Sequence, residues 1–350
     1  EIPSSVTSIE EKAFYGCSGL TEVIFEENSQ LTSIGNSAFE GCSSLTSIEI
    51  SSGVTSIEEK AFFGCSGLTE VIFEENSQLT SIGNNVFQGC SSLTSIKIPS
   101  GVTSIGYYVF QGCSSLTSIE IPSSVTSIGR YAFDGCMSLT RIEIPSSVTS
   151  IEEKAFYGCS ELTEVIFGEN SQLTSIGLSA FESCSALKYV IFGNNSQLTS
   201  ISNYVFQGCS SLTNVVYGEN SQLTSIGAGA FSDCSGLTSV IIPDSVMIIA
   251  SGAFRGCSGL ENIVVEEENT KYKSDNNCLI EIATNQLLLG CKTSIIPSYV
   301  TSIASYAFRG SSSLTSIVIP NSITTIGNYA FSSCSGLMSV TIPDSVTSIG

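Results

Sequence analysis

Apolar and polar residues follow one another along this chain in a unit that returns every 23 or 25 residues, as the steps Cys42 to Cys65 and Cys65 to Cys90 show. In one copy Leu45, Ile48 and Ile50 are apolar while Thr46, Ser47 and Glu49 are polar. That spacing predicts a short strand with one buried face. A proline after such a strand, as in Ile121-Pro122-Ser123-Ser124, predicts its end and the start of a turn. Val125-Thr126-Ser127-Ile128 then reads as a second, shorter extended piece with Thr and Ser outward. In the following Gly129-Arg130-Tyr131-Ala132-Phe133-Asp134-Gly135-Cys136, Ala132 and Phe133 are expected to pack inward, and the length suits one turn of 3₁₀ or α helix. Each unit is read as strand, turn, short strand and short helical turn. A unit this short buries its apolar side only against its neighbours, so the expected fold class is an α/β repeat solenoid of about fourteen coils with stacked parallel strands.

Longer units replace Ile-Pro-Ser-Ser-Val with Phe-Glu-Glu-Asn-Ser-Gln-Leu, from Phe25 to Leu31 and from Phe73 to Leu79, or with the Phe-Gly-Glu variant from Phe167 to Leu173. The two extra residues are expected in the turn, where an insertion disturbs a solenoid least. One interruption is larger: 54 residues separate Cys257 from Ser311, which stands where the next cysteine would fall. Within it, Cys278 to Cys291 reads as a hairpin turning at Thr284-Asn285. The expected organisation is one solenoid over 1–350, with an atypical repeat carrying an inserted hairpin at 258–300. Because the chain stops within a repeat at Thr347-Ser348-Ile349-Gly350, it is expected to belong to a longer array.

Composition agrees with a continuous core: 42% of residues are apolar, 13% are charged, and mean hydropathy is +0.30. The net charge is −20, and the 12 Lys and Arg stand singly, as at Lys12, Lys60, Lys97, Arg130 and Arg141. Without a basic stripe to neutralise phosphates, nucleic acid and anionic membrane are poor partners. No apolar run is long enough for membrane insertion.

The chain has 14 cysteines, and those from Cys17 to Cys257 recur with the repeat. Stacked in parallel about 4.8 Å apart, their side chains cannot converge as a disulfide requires, so they are expected to form a ladder of buried thiols. Cys278 and Cys291 differ, because a two-residue turn would set them opposite each other. Two readings stand there: a disulfide, or reduced core thiols. With 0 His and no Cys-x-x-Cys, no metal site is expected. No nucleophile, zinc-hydrolase or nucleotide-loop motif is present. Glu49, Glu120 and Glu143 occupy a repeat position that elsewhere holds Ile, Val or Lys, which reads as exposed decoration rather than a carboxylate pair. The expectation is a non-enzyme without catalytic residues or cofactors. Acidic turns such as Glu26-Glu27-Asn28, Glu74-Glu75-Asn76 and Glu266-Glu267-Glu268-Asn269 offer oxygens to Ca²⁺, but solvated turns are the favoured reading.

The combined landmarks Ile-Pro-Ser-Ser-Val-Thr-Ser-Ile-Gly, Ala-Phe and Gly-Cys, with Asn276-Asn277-Cys278-Leu279-Ile280 and Gly290-Cys291-Lys292 in the atypical unit, resemble the BspA-type leucine-rich-repeat surface proteins along essentially the whole chain. The resemblance implies a curved leucine-rich-repeat right-handed superhelix with a concave parallel sheet. It also implies a cell-surface or extracellular location and adhesion to matrix proteins or other cells. On the concave face, the fifth position of the long strand is expected outward. From Ile166 through Ile191, Val216, Ile241 and Val264 it is aliphatic, flanked by Glu164, Tyr189, Asn214, Ser239 and Asn262. Those ten residues are the candidate binding surface for a protein or glycoprotein on host tissue or a neighbouring cell. The competing reading is β-propensity on a face that another segment or chain covers. The alternative function is a structural spacer or self-assembling repeat stalk presenting another domain.

Overall fold

The alternation from Leu45 to Ile50 becomes a strand at Ser47–Ile50, with Ile48 and Ile50 buried and Glu49 exposed. The structure, a computed structural model, describes residues 1–350, and its coils fall into two units, Glu1–Cys184 and Ser185–Gly350. Both are built as parallel β-solenoids. In the first unit Ser47–Ile50 pairs in parallel with Glu70–Phe73, and equivalent residues of successive repeats face each other: Ile48 with Val71 and Glu49 with Ile72. In the second unit Ser239–Ile242 pairs likewise with Asn262–Val265. The second short piece forms its own parallel row, as Ser33–Ile34 against Ser56–Ile57 in the first unit and Ser200–Ile201 against Ser225–Ile226 in the second. Register is tight because a one-residue slip would turn every buried Ile to solvent.

The threonines that precede the strands point outward, and they bind across coils. The N–H and the Oγ1 hydroxyl of Thr55 both donate to the Thr32 carbonyl, at 2.9 and 3.2 Å, and Thr69 does the same to Thr46, at 2.8 and 2.9 Å. The two lone pairs of each carbonyl are thus filled by one residue of the next coil.

The expected helical turn is not there, and neither unit contains a helix. In its place runs a ribbon of tight turns. The N–H groups of Ala38, Glu40 and Cys42 close onto the Gly35, Ser37 and Phe39 carbonyls, at 3.2, 3.2 and 3.1 Å. The intervening N–H groups of Ser37, Phe39 and Gly41 donate to Glu59, Ala61 and Phe63 of the next coil, at 2.9, 2.8 and 2.8 Å. A helix would direct all of them within its own segment, whereas the stacked neighbour offers carbonyls in line. The alternation needs left-handed backbone at the third residue of every other turn, at Ser37 (φ 54) and Gly41 (φ 75). This is why Gly precedes most of the cysteines; where Ser183, Asp233 and Ser333 replace it they adopt the same conformation, with φ of 64, 60 and 60.

Inside, the phenylalanines stack face to face. Phe39 and Phe62 have centroids 5.3 Å apart, and in the second unit Phe206 and Phe231 also lie 5.3 Å apart. Cys17, expected at the foot of the buried ladder, is exposed because its coil is the first in the stack. From Cys42 onward the ladder cysteines line the same core and their thiols donate to carbonyls one coil back: Cys65 Sγ to Phe39 at 3.1 Å, Cys136 to Phe110 at 3.2 Å and Cys234 to Phe206 at 3.1 Å. The Phe39 carbonyl already accepts the Cys42 N–H, so the thiol of the next coil fills its second lone pair.

The two additional residues of the longer units do lie in the turn, which passes through left-handed backbone at Asn28 (φ 58), Asn76 (φ 59) and Asn170 (φ 54). The atypical segment holds three antiparallel strands rather than two. Tyr272–Asp275 and Cys278–Glu281 are joined by Asn276-Asn277, both with positive φ, a turn of the kind that suits a two-residue hairpin. Gln286–Leu289 then pairs antiparallel with Cys278–Glu281 and parallel with Ser302–Ile303, returning the chain to the short-strand row.

Candidate functional site

The long strands place alternate residues on their outer face, and the structure sets the ten candidate residues there. In the second unit Tyr189 pairs with Asn214 and Ile191 with Val216, while Ser239 pairs with Asn262 and Ile241 with Val264. Val216, Ile241 and Val264 are 41%, 44% and 45% exposed and Tyr189 is 46% exposed, whereas Ile191 is half-buried. In the first unit Glu164 pairs with Arg141 and Ile166 with Glu143, Ile166 is half-buried, and the Arg141 Nε lies 3.3 Å from the Glu164 carboxylate. The other positions of that column in the first unit are mixed: exposed Ile24 and Ile72 alternate with Glu49, Lys97, Glu120 and Glu143. The chemistry offered is apolar contact beside phenol, amide and hydroxyl groups.

The acidic turns have a structural task. The Glu26 Oε2 accepts the Ser4 N–H at 2.9 Å, Glu74 accepts Ser52 at 2.8 Å, and Glu266 accepts Asp244 at 2.9 Å. The first carboxylate of each turn closes a main-chain donor of the preceding coil.

Cys278 and Cys291 are free thiols in the structure, so the disulfide reading is not what the hairpin holds. The physical reason is register. Glu281 pairs with Gln286, leaving the four-residue connection 282–285, and an irregularity between Leu279 and Ile280 sets Leu279 against Leu289. The two cysteines are therefore not directly opposed. Cys278 Sγ lies 3.6 Å from the Ile295 carbonyl and Cys291 Sγ 3.4 Å from the Glu261 carbonyl. Burial pushes the Cys278 thiol up to about 12.

A feature that sequence reasoning missed lies in the second unit, where the short-strand row breaks beside Ile248–Ile249. That strand pairs with Ser225–Ile226 but has no strand on its other side. Tyr272 caps the open edge: its phenol accepts the Ile249 N–H at 3.1 Å and donates to the Met247 carbonyl at 3.3 Å. Burial raises the pKa of this phenol and keeps it a donor. Behind it is a cleft of about 380 Å³ between the ribbon 250–254, the hairpin strands and Ala304 to Tyr306. A signal was available, since Val246-Met247-Ile248-Ile249 replaces the usual Thr-Ser with Met247 and Ile248, which are 45% and 61% exposed. Replacing Tyr272→Phe leaves the Ile249 N–H and Met247 carbonyl unpaired and is expected to lower unfolding free energy by about 1–3 kcal/mol. Urea melts of the two proteins check this.

With the geometry in place, comparison with known proteins identifies the class. The BspA type leucine rich repeat region family matches residues 1–91, 80–213, 174–285 and 288–350, and the chain belongs to that family. A leucine-rich repeat protein from Bacteroides ovatus ATCC 8483 is 27% identical, with a TM-score of 0.59, over 98% of this chain and 83% of that one. A leucine rich cell surface protein from Faecalibacterium prausnitzii A2-165 is 28% identical, with a TM-score of 0.55, over 96% of this chain and 87% of that one. The pneumococcal vaccine antigen PcpA, 24% identical with a TM-score of 0.56 over 72% of this chain, shares the fold, and this chain covers 61% of its length. No curated protein matches the chain. The parallel solenoid is thus a leucine-rich-repeat fold, a scaffold class that generally serves protein interaction. No helix is long and apolar enough to cross a membrane.

Proposed function

We propose that this protein is a protein-binding and adhesion module, displayed at a cell surface or secreted, whose long-strand face meets a protein or glycoprotein on host tissue or a neighbouring cell. The observation that carries the reading is the exposed aliphatic column of the second unit, Val216, Ile241 and Val264 with half-buried Ile191, beside Tyr189, Asn214, Ser239 and Asn262. An apolar centre with a polar, aromatic-bearing border is the composition of a protein-binding patch. Glu164 and Ile166 occupy the equivalent positions in the first unit. Repeated weak contacts on neighbouring coils strengthen one another through effective concentration, which suits adhesion. The Faecalibacterium prausnitzii relative is described as a cell surface protein, which supports the location. A net charge of −20 disfavours nucleic acid as the partner. We assign no catalytic residue, metal or cofactor.

The test is binding of the chain to a panel of matrix glycoproteins, cell-surface glycoproteins and glycans, beside an Ile191→Lys, Val216→Lys, Ile241→Lys variant shown by circular dichroism to be folded. Burying three added charges is expected to weaken binding by at least about a hundredfold. A folded variant that binds as tightly as the native chain sinks the assignment to this face. If the native chain binds nothing on the panel but self-associates in sedimentation velocity, the spacer or self-assembling stalk replaces the adhesive reading.

A further inference from the structure

In the second unit, three main-chain groups of the kind that joins one coil to the next have no partner, and all three lie at the same cleft. The N–H groups of Phe206, Phe231 and Phe308 donate to the Ala230, Ala253 and Ala330 carbonyls, each at 2.8 Å. Phe254 is the equivalent residue, but the Ala307 carbonyl that would serve it accepts the Gly290 N–H instead, at 2.9 Å. Gly252 stands where Tyr204 and Tyr306 donate to Ala228 and Asn328 at 3.0 Å, and its N–H is also unmatched. The third group is the Ile249 carbonyl. Its counterparts on Ile201, Ile226 and Ile303 accept N–H groups from Gly227, Ala250 and Gly327, at 2.8, 2.9 and 2.8 Å.

The gap is a wedge. At Gly256 the coils still meet, with the Gly256 N–H donating to the Arg309 carbonyl at 2.8 Å, while toward Ile249 they part around a volume of about 380 Å³. That volume is in the range of pockets that hold a small ligand. Charge does not dominate it: Glu281 is held by Lys271 at 2.7 Å, and the Arg255 Nε donates to the Ser232 hydroxyl at 3.0 Å. What the cleft presents is one main-chain acceptor followed by two donors.

We propose that this cleft binds a short peptide, folded in the same tight turn as the ribbon, that supplies the missing rung. Its first N–H fills the Ile249 carbonyl, and its second and fourth carbonyls take the N–H groups of Gly252 and Phe254. The template is in the same unit, where Gly227 donates to Ile201 while the Ala228 and Ala230 carbonyls accept from Tyr204 and Phe206. The fourth residue of the peptide is small and apolar, as buried Ala230 is in that coil. Main-chain pairing of this kind supplies affinity, and the small side chain supplies selectivity. The site stands apart from the aliphatic face and does not rest on the adhesive reading.

The probe is acetyl-Gly-Ala-Gly-Ala-amide, the sequence of residues 227–230, titrated into the full chain with hydrogen–deuterium exchange resolved over residues 250–256. At saturation, exchange at Gly252 and Phe254 is expected to slow by at least about tenfold. Acetyl-Pro-Ala-Gly-Ala-amide, which lacks the first N–H, is expected to bind about tenfold more weakly. Leu288→Trp fills the cleft and is expected to abolish the protection; Ser251→Trp serves if Leu288→Trp fails to fold. The proposal is overturned if exchange at Phe254 is already slow without peptide, if millimolar peptide slows neither amide, or if a folded cleft-filling variant is protected as well as the native chain.

Discussion

Raising the pH above about 9 is expected to destabilise this protein steeply, through the thiols in its core. Burial pushes Cys65, Cys257 and Cys278 up to about 12 from an ordinary value of 9.0, and holds Cys90, Cys136 and Cys234 well above it. The unfolded chain sheds these protons near the ordinary value while the folded chain keeps them. The stabilisation is therefore complete below about pH 9 and falls as pH rises toward the folded value. A rise of about three units corresponds to about 4 kcal/mol for one thiol, a large share of the roughly 5–15 kcal/mol that holds a domain together. Urea melts are expected to change little between about pH 7 and 8 and to shift steeply to lower urea above about pH 9.5. The Cys65→Ala, Cys257→Ala, Cys278→Ala variant should show a shallower alkaline slope. A native melt as stable at pH 11 as at pH 8 would show that the thiols do not stay protonated in the fold.

Phe133→Ala is expected to remove about 3–5 kcal/mol of stability. Phe133 is fully buried and stacks between Phe110 at 5.3 Å and Phe156 at 4.9 Å, so its removal opens a void against both neighbouring coils. Because each coil packs only against its neighbours, the same change is expected to weaken coupling along the first unit and broaden the melt. Phe133→Leu keeps most of the volume and should lose less than half as much. A loss below about 1 kcal/mol for the alanine variant would mean that the stack is not the spine of the core.

Much of this architecture is legible in one repeat. The alternation of Ser47 to Ile50 gives the strand and its buried face, and the period gives the parallel register that sets Ile48 against Val71. The spacing of the cysteines excludes disulfides along the ladder and predicts buried thiols, which the structure shows from Cys42 to Cys257. The outward position of Val216, Ile241 and Val264 follows from the same alternation. The atypical segment was only partly legible. Its second hairpin has a strong pattern in Cys278 to Leu289, but the strand Tyr272–Asp275 carries polar residues at most positions and no alternation to mark it.

The sequence by itself determined the solenoid: a repeated apolar pattern leaves each coil no partner but the next, so stacking, register and the Phe spine follow from the period and the hydrophobic effect. Only the tertiary structure decided where the polar main chain would find its partners. The segment from Gly35 to Cys42 is short enough for a helical turn, and becomes a ribbon because Glu59, Ala61 and Phe63 bring carbonyls alongside it. The carbonyl that each core thiol meets, the phenol of Tyr272 on the strand edge and the unpaired N–H of Phe254 are likewise settled by residues one coil away. A hydrophobic pattern states which side is buried, while a hydrogen bond needs a partner within about 3 Å and in line, and that partner exists only once the coils are stacked.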